Sequence, residues 1–87
     1  MKQLTKNFKA LANERRLKIL KLLLTKGKLT VGEISDGINL SFRSTSKHLK
    51  ILGNVGFVEW EQMGTNIYYS VSSVLPAEIT KLIKSVS

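Results

Sequence analysis

The chain has 87 residues, 43% of them hydrophobic, and no cysteine. That suits one domain spanning 1–87 with a small core, and it excludes disulfides, zinc–thiolate sites and thiol chemistry. Fourteen Lys and Arg against six Asp and Glu leave a formal charge of +8, which points to a polyanionic partner. No apolar run approaches the ~20 residues of a membrane span. Lys2, Lys6 and Lys9 are followed by no long apolar stretch of the kind a signal peptide carries. The expectation is therefore a cytoplasmic protein with no membrane partner.

Leu4, Phe8 and Leu11 stand at i, i+4 and i+7 and predict a helix over about 4–12. Asn13 reads as the N-cap of a second helix, with Glu14 at the positive end of its dipole. Leu17, Leu20 and Leu24 make a seam that Ile19 and Leu23 widen. Arg15, Arg16, Lys18 and Lys21 form its wet side, and Gly27 stops it. Thr30-Val31-Gly32-Glu33 matches a capping box, and Val31, Ile34 and Ile38 supply an apolar face. Gly37 is the expected exit, and Ser41 the expected cap of the next helix. Two short helices joined by a tight turn predict a helix-turn-helix over about 30–53.

The segment 42–52 carries bases and no acid. At 100° per residue, Phe42, Thr45, Leu49 and Leu52 fall within about 80° of one another. Arg43, Lys47 and Lys50 fall within about 60°, on the side away from that stripe, flanked by Ser44, Ser46 and His48. The apolar side is expected to dock the helix and the basic side to face outward. Like charges at i, i+4, such as Arg43 and Lys47, slightly weaken a helix unless an anion lies against them. Arg, Lys, Ser and His side chains are also those that reach phosphates and base edges. The alternative is an ordinary solvated helix face.

After Gly53 and Gly56 the period changes to two. Val58 and Trp60 alternate with Glu59 and Glu61, and Ile67, Tyr69 and Val71 with Tyr68 and Ser70. A hairpin over about 57–71 follows, joined through Gln62 to Asn66. At this spacing Trp60, Tyr68 and Tyr69 are expected in the core rather than as stacking platforms for single strands. Pro76 suits the first turn of a last helix over about 77–86, with Ile79, Leu82, Ile83 and Val86 as its stripe. The fold class is mainly α with a β-hairpin (α+β). One histidine, no cysteine, no paired carboxylates at a catalytic spacing and no phosphate-cradling glycine loop argue against an enzyme.

The stretches FKALANERRLKILKLL at 8–23, LTVGEIS at 29–35, LSFRSTSKHLKILGNVGFVE at 40–59 and GTNIYYSV at 64–71 resemble the ArsR/SmtB family of winged helix-turn-helix repressors. The run Ser46-Lys47-His48-Leu49-Lys50-Ile51-Leu52, followed by Gly56-Phe57-Val58, is the most specific part. The resemblance implies a homodimer on double-stranded DNA, reading a pseudo-palindromic operator with half-sites one helical turn apart. It carries DNA contacts onto Arg43, Ser44, Ser46, Lys47 and His48, and capping onto Ser41. It implies wing contacts as well, for which Gln62, Thr65 and Asn66 can hydrogen-bond. Lys50 completes the basic stripe. Pairing through the terminal helices would involve Leu4, Phe8 and Leu11 with Ile79, Leu82, Ile83 and Val86.

Three departures qualify this. Val31 and Gly32 stand where metal-sensing members carry cysteines, and the last helix offers only Glu78 and no histidine, so no metal or other cofactor is expected at those sites. The effector, if one exists, is unknown. The wing tip, Met63 to Asn66, is neutral where arginines are common, so wing contacts to phosphate should be weak. Phe42 stands where a polar residue is usual and is expected to pack on the body. Two alternatives use the same residues: a non-specific or architectural nucleic-acid-binding protein, and a winged-helix module that binds an acidic protein.

Overall fold

The computed structural model describes residues 1–86; Ser87, the last residue of the expected 1–87 domain, lies outside them. The order is α1 (Lys2–Leu11), α2 (Glu14–Lys26), β1 (Leu29–Thr30), α3 (Val31–Ile38), α4 (Phe42–Asn54), β2 (Val58–Met63), β3 (Asn66–Val71) and α5 (Ala77–Ser85). Helices α2, α3 and α4 pack against a small antiparallel sheet of order β1-β3-β2, and α1 and α5 pack on α2. This is the expected winged helix-turn-helix. No helix among the described residues is long and apolar enough to cross a membrane.

The helix starts follow their local chemistry. The Asn13 side chain accepts from the Arg16 amide at 3.1 Å. Thr30 Oγ1 accepts from the Glu33 amide at 3.2 Å, and Glu33 Oε1 accepts from the Thr30 amide at 2.9 Å, which completes the capping box. Ser41 Oγ accepts from the Ser44 amide at 3.1 Å. Each cap satisfies an amide that the helix itself leaves free.

The helix ends are equally local, with one difference from expectation. Gly27 ends α2 at φ 92. Gly56 ends α4 at φ 79 in a Schellman motif: its amide donates to Gly53 O and the Phe57 amide to Leu52 O, both at 3.0 Å. The exit from α3 is made by Asn39 at φ 54, not by Gly37. Gly37 lies inside α3, where a Cβ would meet Leu22 Cδ2 at 2.6 Å. Its role is close approach of α3 to α2.

The core gathers Ile19, Leu20 and Leu23 of α2, Ile34 of α3, Leu49 and Leu52 of α4, and Phe57 and Val58 at the wing root. Ala10, Leu75 and Ile83 close it from the terminal segments. Leu17 was expected in the α2 seam but lies half out of it, because Ile19, Leu20 and Leu23 take the inward face. The strand pair β1–β3, with Leu29 opposite Tyr69 and Thr30 opposite Tyr68, was not expected. The β2–β3 register runs from Val58 opposite Val71 to Met63 opposite Asn66. Gly64 at φ 66, alone in the turn with positive φ, gives a two-residue hairpin of the II′ class. Past Val58 the whole of β2 is exposed. Trp60, expected in the core, is therefore 62% exposed: the hairpin extends beyond the body that could cover it. Tyr68 and Tyr69 are half-buried nearer the root.

Thr45 is fully buried, yet its hydroxyl donates to Ser41 O at 2.8 Å. The same carbonyl also accepts the Thr45 amide. Thr45→Val therefore strands no polar group and should change stability by less than about 1 kcal/mol. Leu52→Ala, which empties a fully buried site, should cost about 2–5 kcal/mol. Urea denaturation of the two variants at equal chain concentration checks both, and comparable losses would contradict this view of the α4 underside.

Candidate nucleic-acid interface

The turn between α3 and α4 places α4 across the body with two unlike faces. Thr45, Leu49 and Leu52 are buried, each at 1% exposure or less. Arg43, Lys47 and Lys50 are exposed on the other side, with Ser44, Ser46 and His48 half-buried along the flanks. The helical wheel thus describes the helix correctly except at its first residue. Phe42, expected to pack on the body, is the first residue of α4 and is 63% exposed. The Ser41 hydroxyl accepts the Ser44 amide as the α4 cap and keeps its O–H and one lone pair for an outside partner. The Ser44 and Ser46 hydroxyls make no hydrogen bond among the described residues.

His48 lies against α2. Its Nδ1 stands 3.3 Å from Arg16 Nη1. Burial lowers its pKa below the usual 6.5, and the nearby charges of Arg16, Arg15 and Lys47 lower it further. Both effects favour the neutral ring. Arg16 was expected on the wet side of α2. Instead its Nε donates to Ala10 O at 2.6 Å and its Nη2 to Lys9 O at 2.9 Å, which satisfies carbonyls at the end of α1. Sequence reasoning missed this residue because the contact with His48 spans 32 positions and leaves no periodic trace.

The wing differs electrostatically from α4. Between Val58 and Val71 it holds Glu59 and Glu61 and no base. Glu61 pairs with Lys28 beside β1. Gln62 Nε2 donates to Gly64 O at 3.3 Å within its own turn, while Thr65 and Asn66 are exposed at the tip.

A separate apolar groove runs where α1, α2 and α5 meet, lined by Phe8, Leu11, Leu17, Ile79, Leu82 and Val86. Phe8 is 59% exposed and Leu82 63%. Leu4 and Val86 are also exposed, and Leu11 and Ile79 half-buried. Ile83 lines the floor of the same groove. At 5% exposure it belongs to the core, because the Ile79–Ile83 row turns toward α2 while the Leu82–Val86 row turns away. Among the described residues, no three of His, Asp and Glu gather as a metal-holding group.

In sequence and fold the chain is similar to known proteins. Residues 13–59 match the family model described as bacterial regulatory protein, arsR family. The transcriptional activator HlyU of Vibrio cholerae is 43% identical over 65 residues, covering 75% of this chain and 59% of HlyU. The transcriptional repressor SdpR of Bacillus subtilis is 38% identical over 68 residues, covering 78% and 74%. The chain spans 54–59% of the length of several of its curated relatives. A homodimeric winged helix-turn-helix DNA-binding domain from Mycobacterium bovis superposes with a TM-score of 0.80 at 33% identity, over 94% of this chain and 72% of that one. With its fold, its helix-turn-helix residues and its relatives in agreement, the chain belongs to the arsR family of bacterial regulatory proteins.

Proposed function

We propose that the chain is a sequence-specific, double-stranded-DNA-binding transcriptional regulator, a cytoplasmic repressor that acts as a homodimer at the nucleoid. The observation that carries this reading is the exposed Arg43–Lys47–Lys50 stripe on a helix whose opposite face is locked into the core. Such a helix fits a major groove, its cations on phosphates and its shorter polar side chains at base edges. Ser44, Ser46 and His48 are the candidates for base choice, with Ser41 contributing its hydroxyl proton. Gln62, Thr65 and Asn66 offer neutral contacts to flanking DNA, which suits a wing without cations. Repression would follow from occupying a promoter. Control of binding would not run through the metal sites that the family resemblance implies, since Val31 and Gly32 supply no thiolate and the last helix no histidine.

The groove between α1, α2 and α5 is assigned to a second copy of the chain. Leu4, Phe8, Leu11, Ile79, Leu82 and Val86 would be covered there, with Ile83 beneath them. This arrangement is supported by the homodimeric state named for the M. bovis relative. It would place two recognition helices about 34–36 Å apart, one turn of duplex.

Arg43→Ala and Lys47→Ala should each leave the fold intact and weaken duplex binding. Each should also lower the slope of log K against log salt by about 1, the value of one lost phosphate contact. Fluorescence anisotropy across a salt series measures both quantities; unchanged affinity in both variants would remove this face from the interface. Leu82→Glu should sediment as a folded monomer, since Leu82 contributes little to the protomer core. A Leu82→Glu protein that still sediments as a dimer would place the pairing surface elsewhere.

A further inference from the structure

We propose that Arg16 is a positioning residue for the recognition helix: anchored on the last turn of α1, its guanidinium fixes His48 as the neutral tautomer with the proton on Nε2, ready to donate to an acceptor on DNA. This rests on the DNA-binding reading above.

The geometry is restrictive because a guanidinium has only donors. Arg16 Nη1, 3.3 Å from His48 Nδ1, can be hydrogen-bonded to it only if Nδ1 carries no proton. A neutral imidazole without a proton on Nδ1 carries it on Nε2. Among the described residues Nε2 makes no hydrogen bond, so its donor is free. The guanidinium cannot swing aside easily, since Nε and Nη2 are held by Ala10 O and Lys9 O at 2.6 and 2.9 Å. Three of its donors thus converge on α1 and α4. The charged groups around the ring are Arg15 and Arg16 from α2 and Lys47 from α4 itself, all positive, and none would stabilise an imidazolium.

The consequence is an oriented donor on the flank of the recognition helix. A neutral donor seeks an acceptor such as a phosphate oxygen or guanine N7 and O6. The same side chain joins α1, whose apolar stripe lines the groove, to the flank of α4.

His48 is the chain's single histidine, so its ring nitrogens can be observed without ambiguity by 15N NMR. In the free wild-type protein at neutral pH, Nδ1 should resonate as an unprotonated, pyridine-like nitrogen and Nε2 as a protonated, pyrrole-like one. A protonated Nδ1 would overturn the proposal. The second arm is a double-mutant cycle on DNA with Arg16→Met and His48→Ala, using a duplex selected by the wild type and its scrambled counterpart. Arg16→Met should weaken binding by about threefold to tenfold, the worth of one hydrogen bond, and should have little further effect once His48 is alanine. Fully additive losses would contradict the pairing. Loss of discrimination between the two duplexes identifies a base acceptor; equal loss on both identifies a phosphate. His48→Gln, which keeps an N–H near the Nε2 position, should recover part of the affinity lost in His48→Ala. If Arg16→Met compromises folding, Arg16→Lys keeps the charge but not the three-way fork and should show the same loss at smaller size. The NMR arm needs no DNA, so it decides the pairing even if duplex binding itself fails, a failure that would count against the regulator reading.

Discussion

The basic stripe of α4 depends on the burial of Thr45, Leu49 and Leu52 beneath it. A helix that only carried charge would be free to roll. These three side chains fix its rotation, and Ser41 and the Schellman motif at Gly56 fix its two ends. Burying a leucine is worth about 1.5–3 kcal/mol, whereas an exposed charge pair is worth well under 1. The core therefore orients the helix, and the cations are left to act on something outside the protein.

The charge distribution agrees with that division. Among the described residues, the ion pairs are Lys18–Glu14 and Lys28–Glu61, both exposed. They do little for stability and leave most of the fourteen bases unneutralised. Arg16 is different in kind. Its charge is spent inside the fold, on the carbonyls that end α1 and on the His48 ring. The wing adds two carboxylates and no base, so salt-dependent attraction to a polyanion rests on the helices rather than on the hairpin.

The locally encoded parts of the structure were legible in the sequence. Asn13, Thr30 with Glu33, and Ser41 cap the helices they were expected to cap, because a cap involves residues only two or three apart. The two faces of α4 followed from helical period alone. What was missed depends on distant partners. The strand β1 has two residues and exists only because Tyr68 and Tyr69 pair with it. Trp60 and Phe42 have core-like chemistry but lie beyond the edge of the body, and no periodicity shows where that edge falls. Gly37 looked like an exit and is a contact with Leu22, while Asn39 bends the chain in its place. The Arg16–His48 contact joins two helices through a pair that neither helix announces.

The measurement that tests the central claim most directly is selection of bound duplexes from a random library at about 150 mM salt, where purely electrostatic binding is already much weakened. A dimeric reader predicts enrichment of a pseudo-palindrome with half-sites one helical turn apart. Binding at low salt without enrichment would contradict sequence-specific reading and leave a non-specific binder, and no binding at either salt would leave the basic helix to an acidic protein.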